Sequence, residues 1–349
     1  MRDWRAIAAV CLVAGLAGAS PALADVGSAG EGDIAALGPA PVIDLPPEGV
    51  GFSDGNPEGV AFDRRTGIVF VSRTATGAIQ AGTFAGAATA LATFVPPGTP
   101  RGDGLPQAAG LKVREGRLYV AGGASGLVTV YDVATRALLA TFHVPPADPA
   151  APTFVNDLVV TDDGDIYATD SFRPSIYRMD GRALAAGGGE MQAIPVGGKI
   201  PYVAGAFNLN GIVQEDDDEL IVVNSATGRL YRVAPDEDAP VAGDITEITV
   251  RGGPLTGGDG LLMDRGRLLV VQGAAADVPG GAHGVVTVVK LREGRRRAAV
   301  QARITDPSLA GPSTIARARD TYVVVNANFG SPSPYTLSLL PRSRGDGGD

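Results

Sequence analysis

Apolar and β-branched residues along this chain fall in short runs, broken by charged or glycine-containing turns, and the same order keeps returning. "FVNDLVVTDDGDIYATDSFRPSIYRMD", from Phe154, is the clearest copy. It reads as an apolar strand, a tight Asp-Asp-Gly-Asp turn, a second strand, another turn and a third strand. Related units begin "PEGVAFD" at Pro57, "AAGLKV" at Ala108, "FNLNGIVQ" at Phe207, "GGDGLLMD" at Gly257 and "GPSTIARA" at Gly311. Successive starts lie 51, 46, 53, 50 and 54 residues apart. Most units leave room for a fourth strand, such as "LLATFHV" or "ITEITV".

Apolar and polar positions alternate with period two, and no helical stripe of useful length interrupts them. One such sheet cannot bury both faces without neighbours. Units of about 50 residues, repeated six times, therefore predict an all-β fold, a six-bladed β-propeller with four-stranded blades. The sixth unit is one strand short, and "PVIDLP" (41–46) is predicted to supply the strand and close the ring. A pair of β-sandwiches is the other all-β arrangement, and the regular spacing argues against it. The propeller is expected to span 41–342, after a linker at 25–40 and before a disordered tail at 343–349.

The first residues do not follow this pattern. Arg2 and Arg5 precede the apolar stretch "AIAAVCLVAGLAGA", and "SPALAD" follows with small residues at Ala22 and Ala24. That order is a secretory signal peptide over 1–24, with cleavage expected after Ala24. The apolar stretch is short for a membrane span. Export to the periplasm or the medium follows as the expectation. Cys11 and Trp4, the only residues of their types, leave with the leader. The mature chain then has no disulfide, thiol nucleophile or cysteine metal site.

The 349 residues carry 29 Lys and Arg against 38 Asp and Glu, a formal charge of −9, so nucleic acid and anionic membranes are poor partners. A soluble monomer acting on a small molecule is expected. The first strand of each propeller blade lines the central channel, so equivalent positions about 50 residues apart meet on one ring. Alignment of the units places Glu58, Ala109, Asn156, Asn210, Asp259 and Ser313 there, five of them able to offer an oxygen. Two carboxylates and two carboxamides around a dry axis repel or go unsatisfied. Ca²⁺, which takes about 6–8 oxygen ligands, resolves this. Mn²⁺ and Mg²⁺ fit less well, and Zn²⁺ is disfavoured because none of the six is His or Cys. A wet channel that binds only solvent is the alternative.

The "PEGVAFD", "VNDLVVTDDGDIYATD", "LNGIVQ" and "GDGLLMDRGRLLVV" motifs resemble the senescence marker protein/gluconolactonase family, also called regucalcin-like, from about residue 41 to 342. The resemblance implies a six-bladed propeller with a divalent ion on the axis. It implies Glu58, Asn210 and Asp259 as metal ligands, Asp259 also as general base, and Asn156 facing the substrate and a metal-bound water. The implied chemistry is lactone or ester hydrolysis, with the Asn156 amide donating to the developing oxyanion. One position departs from the pattern. Phe154 stands where sugar-lactone hydrolases of this family carry an Arg that holds substrate hydroxyls. A more apolar lactone or ester, or loss of catalysis, is implied at that position. A non-catalytic exported propeller with a purely structural ion remains a second reading, and an envelope scaffold without metal a third.

Other motifs carry less. "GFSDG" (51–55) matches G-x-S-x-G at Ser53 but lacks the strand-turn-helix setting. His143 and His283, the only histidines, fall outside the axial motif. "EDDDE" (215–219) sits at a strand-to-strand turn and is expected to be solvated. The Arg-Gly-Asp strings at 101–103 and 344–346, the glycines of "GGPLTGGDG" and the basic "GRRRA" at 294–298 fit surface or loop positions.

Overall fold

The computed structural model describes residues 39–46, 56–101, 106–146, 152–215, 219–235, 242–276, 278–292, 296–329 and 334–342. The leader at 1–24, nearly all of the linker, Ser53 and the tail at 343–349 lie outside the described residues.

The chain forms six four-stranded antiparallel units, each a meander running outward from the centre. Their inner strands are Pro57–Asp63, Leu111–Arg114, Val155–Val160, Leu209–Gln214, Gly258–Asp264 and Pro312–Ala318. Each inner strand touches the next, and the sixth touches the first, so the units close into a propeller. Val42–Leu45 completes the last blade, pairing antiparallel with Tyr335–Pro341 in the register Val42↔Ser338 to Leu45↔Tyr335. The strand expected at 41–46 thus latches the ring. Arg73 Nη2 of blade one donates to Pro46 O at 2.6 Å and ties down the end of that strand.

Apolar clusters fill the gaps between blades, each drawing on two neighbours. Between blades three and four, for example, Val159, Tyr167 and Ile176 pack on Ile212, Val222 and Tyr231. This corrects the expected alternation. The second strands are buried at nearly every position, as in Leu220–Asn224, because both faces of a blade are covered. Alternation survives on outer strands such as Leu138–His143. The outer edges of blades four and five join through parallel pairing of Ala242–Arg251 with Arg297–Ile304, which covers two edges that would otherwise stand open.

Candidate metal centre

Every inner strand slips register near its start. In blade one Pro57 pairs with Arg73 and Val60 with Val71, so Glu58 and Gly59 together oppose one residue. Equivalent slips hold Asn156-Asp157, Asn210-Gly211, Asp259-Gly260 and Ser313-Thr314. In blade two, Ala109 N donates to Ala121 O while Ala121 N donates to Gly110 O, again two residues against one. Such β-bulges re-aim a side chain out of the pleat. Here they fall on the six aligned positions.

Glycine at the second bulge position follows from the packing. A Cβ on Gly211 would meet Leu261 N and Leu261 Cγ, both at 2.8 Å, with Asp259 O closer still. Gly59, Gly110 and Gly260 abut the next blade in the same way. At these four positions the inner strands lie too close for a side chain to pass between them.

The bulges leave four buried oxygens without a partner: Glu58 Oε2, Asn156 Oδ1, Asn210 Oδ1 and Asp259 Oδ1. Glu58, Asn156 and Asn210 are buried as residues; Asp259 is partly covered, but its Oδ1 is shut off from solvent. The Asn156 amide has a fixed orientation. Ser171 spends its single hydroxyl proton on Leu209 O at 2.7 Å, so it can only accept from Asn156 Nδ2 at 2.8 Å. Asn156 Oδ1 is thereby turned away from Ser171. Ser313 differs from the other ring members: its hydroxyl donates to Glu58 O at 2.8 Å and stitches blade six to blade one.

Charged groups from four blades act on one another here. The Glu58 carboxyl is pushed well above its usual range by burial first, then by Asp259 and Asp157, while Lys112 works against the rise. The Asp259 carboxyl is likewise raised, by burial and then Asp157, against a side-chain hydrogen bond from Asn210. Lys112 Nζ lies 3.0 Å from Asp157 Oδ1. Three carboxylates and one ammonium leave two negative charges, the complement of a divalent cation. Among the described residues no three His, Cys, Asp or Glu form a metal cluster by themselves. The candidate set depends on its two carboxamides. Orphaned hard oxygens with this charge fit Ca²⁺ and lack the nitrogen or sulfur donors preferred by zinc.

Phe154 lies two residues before Asn156, at the same end of the channel. Its ring meets Phe207 edge-on at 5.2 Å and Phe172 at 6.0 Å, and Phe172 and Phe207 stand 4.9 Å apart. All three rings are partly exposed. The buried Asp170 carboxylate pins the loops that carry two of them, accepting from Phe154 N at 3.0 Å and Phe172 N at 2.9 Å. This end of the channel therefore carries an apolar surface where hydrogen-bonding groups would suit a sugar.

Ser171, Lys112, Phe172 and Phe207 are not singled out by the sequence, and Asp157, odd as it is beside Asn156 at the start of a strand, is given no role there. A signal existed for Asp157, which occupies a bulge position held by glycine in four other blades, and for Lys112, the one cation in its row of the aligned inner strands. The two ends of "EDDDE" differ from the solvated turn expected, and 216–218 lie outside the described residues. Glu215 and Glu219 are largely covered and both pair with Arg232, whose side chain is 6% exposed. His143 ends an outer strand and His283 lies in a short 3-10 turn, so neither belongs to the ring.

The orientation of Asn156 is testable. Ser171→Ala is expected to weaken calcium binding about tenfold, as loss of a group that orients a ligand does. Calorimetric titration of parent and variant checks this, and unchanged affinity would mean that Ser171 does not set the amide.

No family model matches the sequence, and no curated protein matches it either. Solved structures do share its fold. A calcium-binding protein, regucalcin, from Agrobacterium tumefaciens superposes with a TM-score of 0.57 at 16% identity, covering 81% of this chain and 89% of its own. A putative gluconolactonase gives 0.57 at 14%, covering 87% and 94%. A luciferin-regenerating enzyme gives 0.55 at 13%, covering 82% and 92%. At these identities the likeness is one of fold, and propellers carry many chemistries.

Proposed function

We propose that this chain is an exported, calcium-dependent hydrolase of a lactone or ester with an apolar portion. The observation that carries the reading is the set of four unpartnered, buried oxygens contributed by four blades. Export rests on the leader at 1–24, and calcium on the donor set, with the regucalcin likeness in its favour.

In this reading Glu58, Asn210 and Asp259 hold the ion, and Asn156 Oδ1 holds the ion or a water beside it. When bound, the ion would supply Lewis-acid polarisation of the carbonyl and a counter-charge for the developing oxyanion. Asn156 turns Nδ2 to Ser171, so its presented atom is an acceptor. The amide therefore suits a ligating or water-orienting role better than the oxyanion donor that the resemblance implied. The Asp259 carboxylate takes the proton of the attacking water. Lys112 holds Asp157 and offsets part of the negative charge that Glu58 feels. Phe154, Phe172 and Phe207 bind the apolar part of the substrate and exclude water from it.

Turnover of a panel of aryl esters and aliphatic and aromatic lactones tests the reading. Metal-loaded parent is expected to cleave members with apolar groups in preference to sugar lactones. Asp259→Ala is expected to lower kcat about a hundredfold or more, the scale of a lost general base. Parent protein with no turnover above background on any member would overturn the hydrolase. Phe154, in the place of a hydroxyl-holding Arg, favours one second reading: a propeller that binds an apolar ligand without cleaving it. Calcium-dependent melting without turnover would select that reading.

A further inference from the structure

At the opposite end of the inner strands from the metal ring, blades six and one enclose a cavity of about 490 Å³. Its walls carry five arginines, Arg64, Arg65, Arg317, Arg319 and Arg342, with a single carboxylate, Asp320. Two of the five are already engaged. Arg342 straddles the Asp264 carboxylate at 2.6 and 2.7 Å, and Arg317 Nη1 meets Asp264 Oδ1 at 2.9 Å. Arg64, Arg65 and Arg319 make no ion pair among the described residues, and all three are exposed. They leave turns that are themselves fixed. Arg65 N and Thr66 Oγ1 both donate to Asp63, at 3.0 and 2.6 Å, and Ala318↔Thr321 pairing holds the two-residue turn of Arg319.

Arg64 and Arg319, neither in an ion pair among the described residues, stand on one concavity and repel one another, while the Arg65 guanidinium reaches the Gly116 turn of blade two; in a chain of net charge −9 these cations stand against the overall field. The planar donors of arginine match the oxygens of phosphate in pairs, and a dianion meets more of them at once than a monocarboxylate does. Phe62 adds an apolar wall to the same cavity, edge-on to Phe84 at 6.0 Å. We propose that this pocket binds a phosphate dianion, as the free ion or as a phosphomonoester whose organic part lies on Phe62. The site shares no residue with the metal ring and stands whether or not the ring is catalytic.

Isothermal titration of the full chain at low ionic strength tests this, with inorganic phosphate and phenyl phosphate as probes and acetate as control. Both phosphate probes are expected to bind, acetate is not, and the binding is expected to weaken as salt rises. Tighter phenyl phosphate assigns the ester, and equal affinity assigns the free ion. Arg64→Ser/Arg319→Ser changes two exposed side chains, so it is expected to melt like the parent in phosphate-free buffer while binding about tenfold more weakly or worse. Absence of binding by either phosphate probe, acetate binding as tightly, or a double variant with parental affinity would each overturn the proposal.

Discussion

In chelator, the Glu58→Gln/Asp259→Asn protein is expected to melt above the parent; in calcium the order is expected to reverse. The reversal follows from where the ring puts its charge. Burial raises both carboxyl groups in the metal-free fold, Asp157 adds to each, and Asp259 adds to Glu58. A carboxyl whose folded pKa is raised binds its proton more tightly in the folded state. Its contribution is therefore fully present below the unfolded pKa, about 4 for these groups, and is lost as pH rises through the folded value. Metal-free parent should accordingly lose stability as pH rises from about 4 towards neutrality. The double variant removes both groups and should have a flatter profile. Calcium acts in the other direction. A ligand that binds only the folded state at a hundred times its dissociation constant adds about 2.7 kcal/mol, enough to move a melt by several degrees. The variant, without the two charged ligands, should not gain this. Scanning calorimetry of both proteins from pH 5 to 8, with chelator and with calcium, reads every part of the argument. Parent melting that ignores calcium and chelator alike, together with a neutral double variant, would mean a water-filled channel and would remove the proposed hydrolase.

Blades and ring were legible in the sequence for one reason. A repeat that closes on itself carries equivalent positions to the same place, so alignment of the units amounts to a map of the axis. The spacing was enough to set Glu58 beside Asp259, about 200 residues away, and to identify Val42–Leu45 as the missing strand. What the repeat could not show is whatever differs between blades. Asn156 looked like a possible donor to substrate; its orientation depends on Ser171, which depends in turn on a carbonyl of the next blade. Lys112 and Asp157 meet across 45 positions and belong to no shared motif. Glu215 and Glu219 read as solvated because they fall at a strand-to-strand turn, yet both pair with Arg232 of the next-but-one strand. Alternation failed in the middle strands for a related reason: period two describes a sheet with one wet face, and a blade in the ring has none. Phe154 stands out in the sequence only as a departure from the pattern of the family it resembles. Its two aromatic neighbours come from separate loops and have no common spacing.

Gly211→Ala is expected to cost roughly 3 kcal/mol, the upper end of what overpacking does in a well-filled interior. The new methyl would press on the backbone of blade five, against Leu261 N at 2.8 Å and Asp259 O nearer still. Neither atom sits on a flexible side chain that can swing aside, so relief requires an inner strand to move. The two strands forced apart carry Asn210 and Asp259. Calcium affinity should therefore fall together with the melting temperature. Gly197→Ala separates the effect of crowding from that of losing a glycine: its Cβ would touch only Pro174, at 3.7 Å, and it is expected to melt within about half a kcal/mol of the parent. Calorimetry and calcium titration of the two variants give the comparison. If Gly211→Ala matched Gly197→Ala in both measurements, the inner strands would have slack to spare, and the bulges would not be what holds the four oxygens around one axis. If stability alone fell and calcium affinity stayed parental, the spacing between the Asn210 and Asp259 strands would not control the ion, and the two would not both be among its ligands.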